Sequence, residues 1–294
     1  MANLTKIEKT FHKDNFHNGS YPIDVLCEKV PDLKNYLTIT DKNTISIDFT
    51  SRDAVVLLNK ALLYHYYNVN FWNIPDNNLC PPIPGRVDYI HYLHDVLIDE
   101  KISNKDIKVL DIGTGASLIY PILGTSVYNW NFVGSDISEA SLKNAQIIID
   151  NNAHLHKKIS LIHQRNKKHI LLDVINKNEQ FTFTMCNPPF FKSSNEATKQ
   201  NLRKNDNLKK IKQRNFSGID EELWCDGGEL TFVKNYIKES MLYKNNVLWF
   251  TCLISNKDNL YPLKTLLKIK KAQEIKVVNM LQGNKTTRIL MWKF

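Results

Sequence analysis

The stretch Lys108-Val-Leu-Asp111-Ile-Gly113-Thr-Gly115-Ala-Ser117 decides how the rest of the chain is read. Its apolar residues have the pattern of a buried strand, and its two glycines permit positive φ and close approach of backbone to a ligand; a helix is expected to follow. Asp136 stands 25 residues after Asp111, at the end of a second apolar run, Phe132-Val-Gly-Ser-Asp136. A carboxylate there can hydrogen-bond both ribose hydroxyls of an adenosine. The third glycine of the dinucleotide-binding pattern G-x-G-x-x-G is missing, because position 118 is Leu. A cofactor without a pyrophosphate fits that departure, which favours S-adenosylmethionine over NAD. Asp111, Gly113, Gly115 and Asp136 are thus the candidate cofactor-binding residues. The plainer alternative is a tight turn beside a solvated aspartate.

Outward from this stretch, the pattern is that of alternating strands and helices, an α/β fold with a parallel sheet and crossover helices. Strands are expected at 107–111, 131–135, 159–163, 181–186, 247–254, 274–280 and 287–292, with helices at roughly 138–151, 228–242 and 258–268. The last two strands are joined through Gln282-Gly283-Asn284, too short for a crossover, so the sheet should end in an antiparallel hairpin. Residues 1–100 read as mostly helical: a short helix at 22–30, a small hairpin around Asp41-Lys42-Asn43, a helix capped by Ser51, and another from about Val87 after Pro81, Pro82, Pro84 and Gly85. The expected organisation is a helical N-terminal module, 1–100, packed on a domain at 101–294.

The second chemical constellation, Asn187-Pro188-Pro189-Phe190-Phe191, directly follows the strand Phe181–Cys186. Two prolines stiffen the backbone and remove two donors, leaving the Pro188 carbonyl free as an acceptor. An exocyclic amine is a poor nucleophile because its lone pair is delocalised into the ring. If the Asn187 side-chain oxygen and the Pro188 carbonyl each accept one amino hydrogen, the nitrogen becomes more tetrahedral and its lone pair can point at a methyl group. No strong base is needed, since the methylated cationic amine loses its proton readily. Catalysis then rests on alignment and preorganised acceptors. Phe190 offers a face for an extruded base, worth about 1–3 kcal/mol in stacking. Asn187, Pro188, Pro189 and Phe190 are the candidate catalytic residues; a Pro-Pro turn capped by core phenylalanines is the structural alternative.

Further motifs are Met185-Cys-Asn-Pro-Pro-Phe-Phe191, Glu222-Leu-Trp-Cys-Asp-Gly-Gly-Glu229, Val247-Leu-Trp-Phe-Thr251, Gln282-Gly283 and, upstream, Arg86-Val-Asp-Tyr-Ile-His91. With them the chain resembles the N6-adenine methyltransferases, whose signature is N-P-P-[FYW]. More closely, it resembles the ribosomal RNA large subunit methyltransferase F family of bacteria, relatives of the eukaryotic enzymes that methylate U6 small nuclear RNA. The resemblance covers most of the chain. It implies a Rossmann-like class I S-adenosylmethionine-dependent methyltransferase, a mostly parallel seven-stranded sheet ending in an antiparallel hairpin. It implies methyl transfer to N6 of one adenine, adenine 1618, of 23S rRNA, with the rRNA or a large-subunit precursor as partner. It places Gly113, Gly115 and Asp136 on the cofactor and Asn187 to Phe190 on the adenine, and makes Arg86 a candidate for the cofactor carboxylate.

Composition sets the outer bounds. The 294 residues are 43% hydrophobic and 23% charged, within the range of chains that fold on a core of their own. The longest apolar run, Val247 to Ile254, is far short of a bilayer span, and the first residues lack a secretory pattern; a cytosolic monomer is expected. Five scattered cysteines without a C-x-x-C pair indicate neither a disulfide framework nor zinc. The net charge of +9 is compatible with nucleic acid, but 33 Lys against 6 Arg, with 33 Asn, also reads as compositional bias on solvated positions. Location says more than the total. Lys192, Lys199, Arg203, Lys204, Lys209, Lys210, Lys212 and Arg214 face only Glu196 and Asp206, so two thirds of the excess lies in a basic insert at 192–216, the candidate RNA-binding segment.

Several residues carry open readings. His91 and His94 lie three apart on a helix, but no third ligand is spaced to join them, so helix packing is favoured over metal. Arg165-Asn-Lys-Lys-His169 either covers the cofactor or touches phosphate, or is a solvated loop. Glu229 reads mainly as a structural cap. Lys6, Lys9, His12 and Lys13 form either an RNA track or a frayed terminus. Two rival functions stand beside nucleobase methylation: an enzyme methylating a protein glutamine amide, and an inactive RNA-binding protein of the same fold. A dehydrogenase is disfavoured by the missing glycine.

Overall fold

The structure, a computed structural model, describes residues 11–41, 43–76, 78–189, 225–282 and 285–294. The chain begins with α1 (Ile23–Lys29), the antiparallel pair β1 (Leu37–Ile39) and β2 (Ile45–Ile47), α2 (Arg52–Tyr66) and α3 (Ile83–Asp99). Ser51 caps α2 by accepting from the Ala54 N–H at 3.3 Å, a bond whose loss costs about 1 kcal/mol. Helix α3 starts four residues earlier than the sequence suggests. Pro82 is its N-cap and Pro84 lies in its first turn, where the absent N–H groups have no helical partner to lose. Arg86 is therefore on the helix.

There follow β3 (Lys108–Ile112), α4 (Ile119–Tyr128), β4 (Asn131–Asp136), α5 (Glu139–Asp150), β5 (Ile159–His163), β6 (Phe181–Cys186), α6 (Gly228–Ser240), β7 (Val247–Ile254), α7 (Leu260–Ile269), β8 (Glu274–Gln282) and β9 (Lys285–Lys293). The seven-stranded sheet runs β5-β4-β3-β6-β7-β9-β8. Its first five strands are parallel; β9 is antiparallel to both β7 and β8. This is the expected α/β architecture, with β8 and β9 each extended by two residues or more.

Successive side chains of the central strands point to opposite faces, and both faces are covered, so these strands are buried along nearly their whole length rather than at alternate residues. Val109, Phe132, Phe183 and Trp249 share one core with α1 to α5, while Leu110, Val133, Phe250 and Cys252 share the other with α6 and α7. Gly124 lets α4 lie close on β4: a Cβ there would run into the outer edge of the Phe132 ring, which would have to shift. From β3 the chain winds outward to β4 and β5, then returns to β6 beside β3. The carboxyl ends of β3 and β6 flank the switch point where a doubly wound sheet opens a crevice.

Candidate active site

The glycine turn after β3 is held from several sides. Gly113 and Gly115 have φ of 71° and 66°. The Gly113 and Thr114 N–H groups donate to the Ser135 carbonyl at 2.9 and 3.0 Å. The Asp136 carboxylate takes the Gly115 N–H on Oδ2 and the Ser138 N–H on Oδ1, each at 2.8 Å, so it orders the turn as well as facing the crevice. Ala116 and Ser117 are fixed by side chains distant in sequence: Asn144 Nδ2 donates to the Ala116 carbonyl at 2.8 Å, and Trp72 Nε1 to the Ser117 carbonyl at 2.9 Å. Leu118, where a third glycine would stand, is itself left-handed at φ 53° with its side chain wholly buried. The backbone path that glycine favours is thus kept at a strain of about 1–2 kcal/mol, offset by burial of the leucine.

Above this turn lies a crevice of about 750 Å³. One wall carries Gly113, Gly115, Asp136 and Ser141, another Asn187 and Pro189 from the end of β6. Arg86 and Tyr120 close one side, with Arg86 Nη1 donating to the Tyr120 hydroxyl at 2.9 Å. Lys167, Lys168 and His169 line another, and Thr231, Phe232 and Asn235 reach in from α6. The lysine loop is pinned by Glu239 of α6, whose carboxylate accepts the N–H groups of Ile170, Leu171 and Leu172 at 3.0, 2.7 and 3.1 Å.

The structure therefore gathers Arg86, Gly113, Gly115, Asp136, Asn187 and Pro189 around one space. Pro188 is buried. Asp111 is buried too and does not reach the crevice wall. Neither of its carboxylate oxygens has a hydrogen-bond partner, and burial raises its carboxyl to about 7, with Asp136 adding to the shift and Arg86 opposing it. Phe190 and the basic residues Lys192, Lys199, Arg203, Lys204, Lys209, Lys210, Lys212 and Arg214 lie outside the described residues, as do Lys6 and Lys9.

Several other residues singled out in the sequence are placed as follows. His91 donates to or accepts from the Tyr128 hydroxyl at 2.8 Å and His94 stacks on the Tyr128 ring at 3.9 Å, so both pack. Among the described residues no cluster of three or more His, Cys, Asp or Glu side chains is placed to hold a metal. His12 is tucked against α3, its ring 2.9 Å from Asp95. Glu229 binds the β7–α7 connection, accepting from the Ser255 N–H at 2.7 Å, the Ser255 hydroxyl and Asn259 Nδ2 at 2.7 Å. The cysteines are free, and no helix among the described residues is long and apolar enough to cross a membrane. Tyr120, Trp72, Glu239 and the three α6 residues had no local sequence signal.

The crevice suits S-adenosylmethionine. A Cβ on Gly113 would meet nothing within 4 Å, which leaves its outer side open to a ligand. The buried hydroxyls of Thr114 and Ser141 on the wall have no protein partner, Arg86 offers a cation to a carboxylate, and Ile112, Ile119 and Ile137 offer apolar surface to an adenine.

Strand order, glycine turn and crevice together define a class I S-adenosylmethionine-dependent methyltransferase. A family profile described as RNA methyltransferase matches residues 5–294. Ribosomal RNA large subunit methyltransferase F of Psychromonas ingrahamii is 46% identical over 100% of this chain and 98% of its own length, and that of Bacteroides thetaiotaomicron 44% identical over 96% and 97%. This chain belongs to the ribosomal RNA large subunit methyltransferase F family. Among solved structures, the hMettl16 catalytic domain in complex with the MAT2A 3'UTR hairpin 6 matches with a TM-score of 0.83 and 30% identity, covering 97% of each chain. The N-terminal domain of human METTL16 in complex with SAH matches with 0.78 and 27%, covering 97% of this chain and 99% of that one.

Proposed function

We infer that this chain transfers a methyl group from S-adenosylmethionine to the N6 amino group of one adenine in 23S rRNA, adenine 1618 by its likeness to the family. The observation that carries the reading is that Asn187 and Pro189 share one crevice with Gly113, Gly115, Asp136 and Arg86. The names of the relatives and the RNA-bound structural neighbour support an RNA acceptor.

When bound, the cofactor supplies a methyl group activated by its sulfonium sulfur. Asp136 would hold the ribose hydroxyls and Arg86 the carboxylate, while the glycine turn lets the backbone lie close. Asn187 and the Pro188 carbonyl would accept the two amino hydrogens, directing the nitrogen lone pair at the methyl carbon in line with the breaking C–S bond. The lone pair would form the new N–C bond while the electron pair of the C–S bond leaves with sulfur, and the methylated amine would lose its extra proton to solvent. Phe190 would stack on the base, which must be unstacked from its neighbours to reach Asn187. RNA phosphates would be met by the basic insert at 192–216 and by the N-terminal module of residues 1–100.

The test is transfer of labelled methyl to 23S rRNA and to large-subunit precursors. N6-methyladenosine should form, and Asn187→Ala should abolish it while sparing RNA binding. Parental turnover in Asn187→Ala, or label on a protein glutamine instead, would overturn the reading.

A further inference from the structure

Strands β6 and β7 part just before Asn187. Their last paired residues are Thr184 and Phe250, whereas on the other side β3 stays paired with β6 through Cys186. At the point of parting, the Thr251 hydroxyl donates to the Thr184 carbonyl at 2.6 Å. A carbonyl can only accept, so this bond uses the one hydroxyl proton of Thr251. The Tyr89 hydroxyl, 2.6 Å from Thr251 Oγ1, must therefore be a donor to it. Thr184 Oγ1 in turn meets the Tyr236 hydroxyl of α6. All four side chains are fully buried, and burial holds both phenols well above their ordinary range, so they remain protonated.

This chain of hydroxyls has two functional ends. Tyr89 lies three residues after Arg86 on α3, and its ring packs edge-on against Tyr120 at 5.5 Å, the same Tyr120 that accepts from Arg86. Thr184 lies three residues before Asn187. Helix α3, on the donor side of the crevice, is thereby tied to the strand that presents the acceptor site.

We propose that Thr251 and Tyr89 are positioning residues for methyl transfer, setting Asn187 and Pro188 in register with the donor through the Thr184 carbonyl. The proposal rests on the functional reading above and deepens it. Small displacements matter for in-line transfer, because reacting atoms must already lie near attack distance. Removing the Thr251 hydroxyl frees the Thr184 carbonyl and lets the end of β6 shift, while every group that touches either substrate stays in place chemically.

The experiment compares Thr251→Val, Thr251→Ser and Tyr89→Phe with the parent protein in kcat, in KM for donor and RNA, and in melting temperature. Thr251→Val should lower kcat by about 10- to 100-fold with both KM values within about twofold, since only transition-state alignment is lost. Thr251→Ser keeps the donor and should recover most of kcat. Tyr89→Phe should fall between, and decides alone if Thr251→Val does not fold. Parental kcat in folded Thr251→Val or in Tyr89→Phe, or failure of Ser to rescue, overturns the proposal. The ratios are taken on whatever product the parent forms. A product other than N6-methyladenosine therefore counts against the functional reading, and an unchanged kcat ratio counts against the positioning role.

Discussion

The Glu239 carboxylate and the Leu171 backbone N–H meet at 2.7 Å, and the same carboxylate also takes the N–H groups of Ile170 and Leu172. A side chain of α6 thus acts as the fixed anion for a turn that has no helix of its own. It holds in place the loop bearing Lys167, Lys168 and His169.

Glu239→Gln should loosen this loop. Hydrogen bonds to a charged acceptor contribute about 1.5–3 kcal/mol, and an amide oxygen replaces them only in part. The melting temperature should fall, and the donor KM should rise by roughly tenfold with kcat little changed, because a wall of the crevice moves rather than the acceptor site. Thermal melts and initial rates check this.

Asp111 makes stability depend on pH. Its carboxyl is raised from 3.8 to about 7 in the folded chain, so the folded state binds the proton more tightly than the unfolded one. Stability should therefore fall as pH rises from about 4 to about 7, then level off. Asp111→Asn should flatten that slope and stabilise the protein at neutral pH, with a gain on the order of 4 kcal/mol if the whole shift is recovered. Denaturant unfolding across this pH range reads it directly.

Gly113→Ala separates backbone strain from ligand approach. A Cβ there meets nothing within 4 Å, but φ is 71°. Strain should cost about 1–2 kcal/mol of stability. Donor affinity should drop by more than that strain explains, because the methyl occupies the open side facing the crevice. Calorimetric titration beside a melting curve tests the difference.

The basic insert should govern the salt dependence of RNA binding. Replacing Lys204, Lys209, Lys210 and Lys212 by Gln should reduce the slope of log affinity against log salt by about 0.7 for each single-strand phosphate that no longer has a lysine beside it. An unchanged slope would place the phosphate-binding cations elsewhere.

What the sequence made legible was local. The strand, turn and Asp136 could be read because each has its own short-range pattern, and Asn187-Pro188-Pro189 because two prolines directly after a strand stiffen the backbone and remove its donors. The start of α3 at Ile83 is not legible locally, because proline signals both the breaking and the beginning of a helix, and only the helix's packing decides between them. Thr231, Phe232 and Asn235 of α6 reach the crevice, and Trp72 and Glu239 brace the backbone behind its walls, only through tertiary placement. Trp72 stands 45 positions from the carbonyl it holds, and nothing near it in the chain marks that role. The burial of Asp111 was equally hidden, since a strand-end aspartate reads the same whether it faces solvent or the core.

Leu118 bears on how relatives are recognised. A scan keyed to three spaced glycines passes over this turn, although its handedness at that position is the one a glycine would give. Distant kin are better sought by backbone handedness and by the apolar seat beneath such a leucine than by residue spelling.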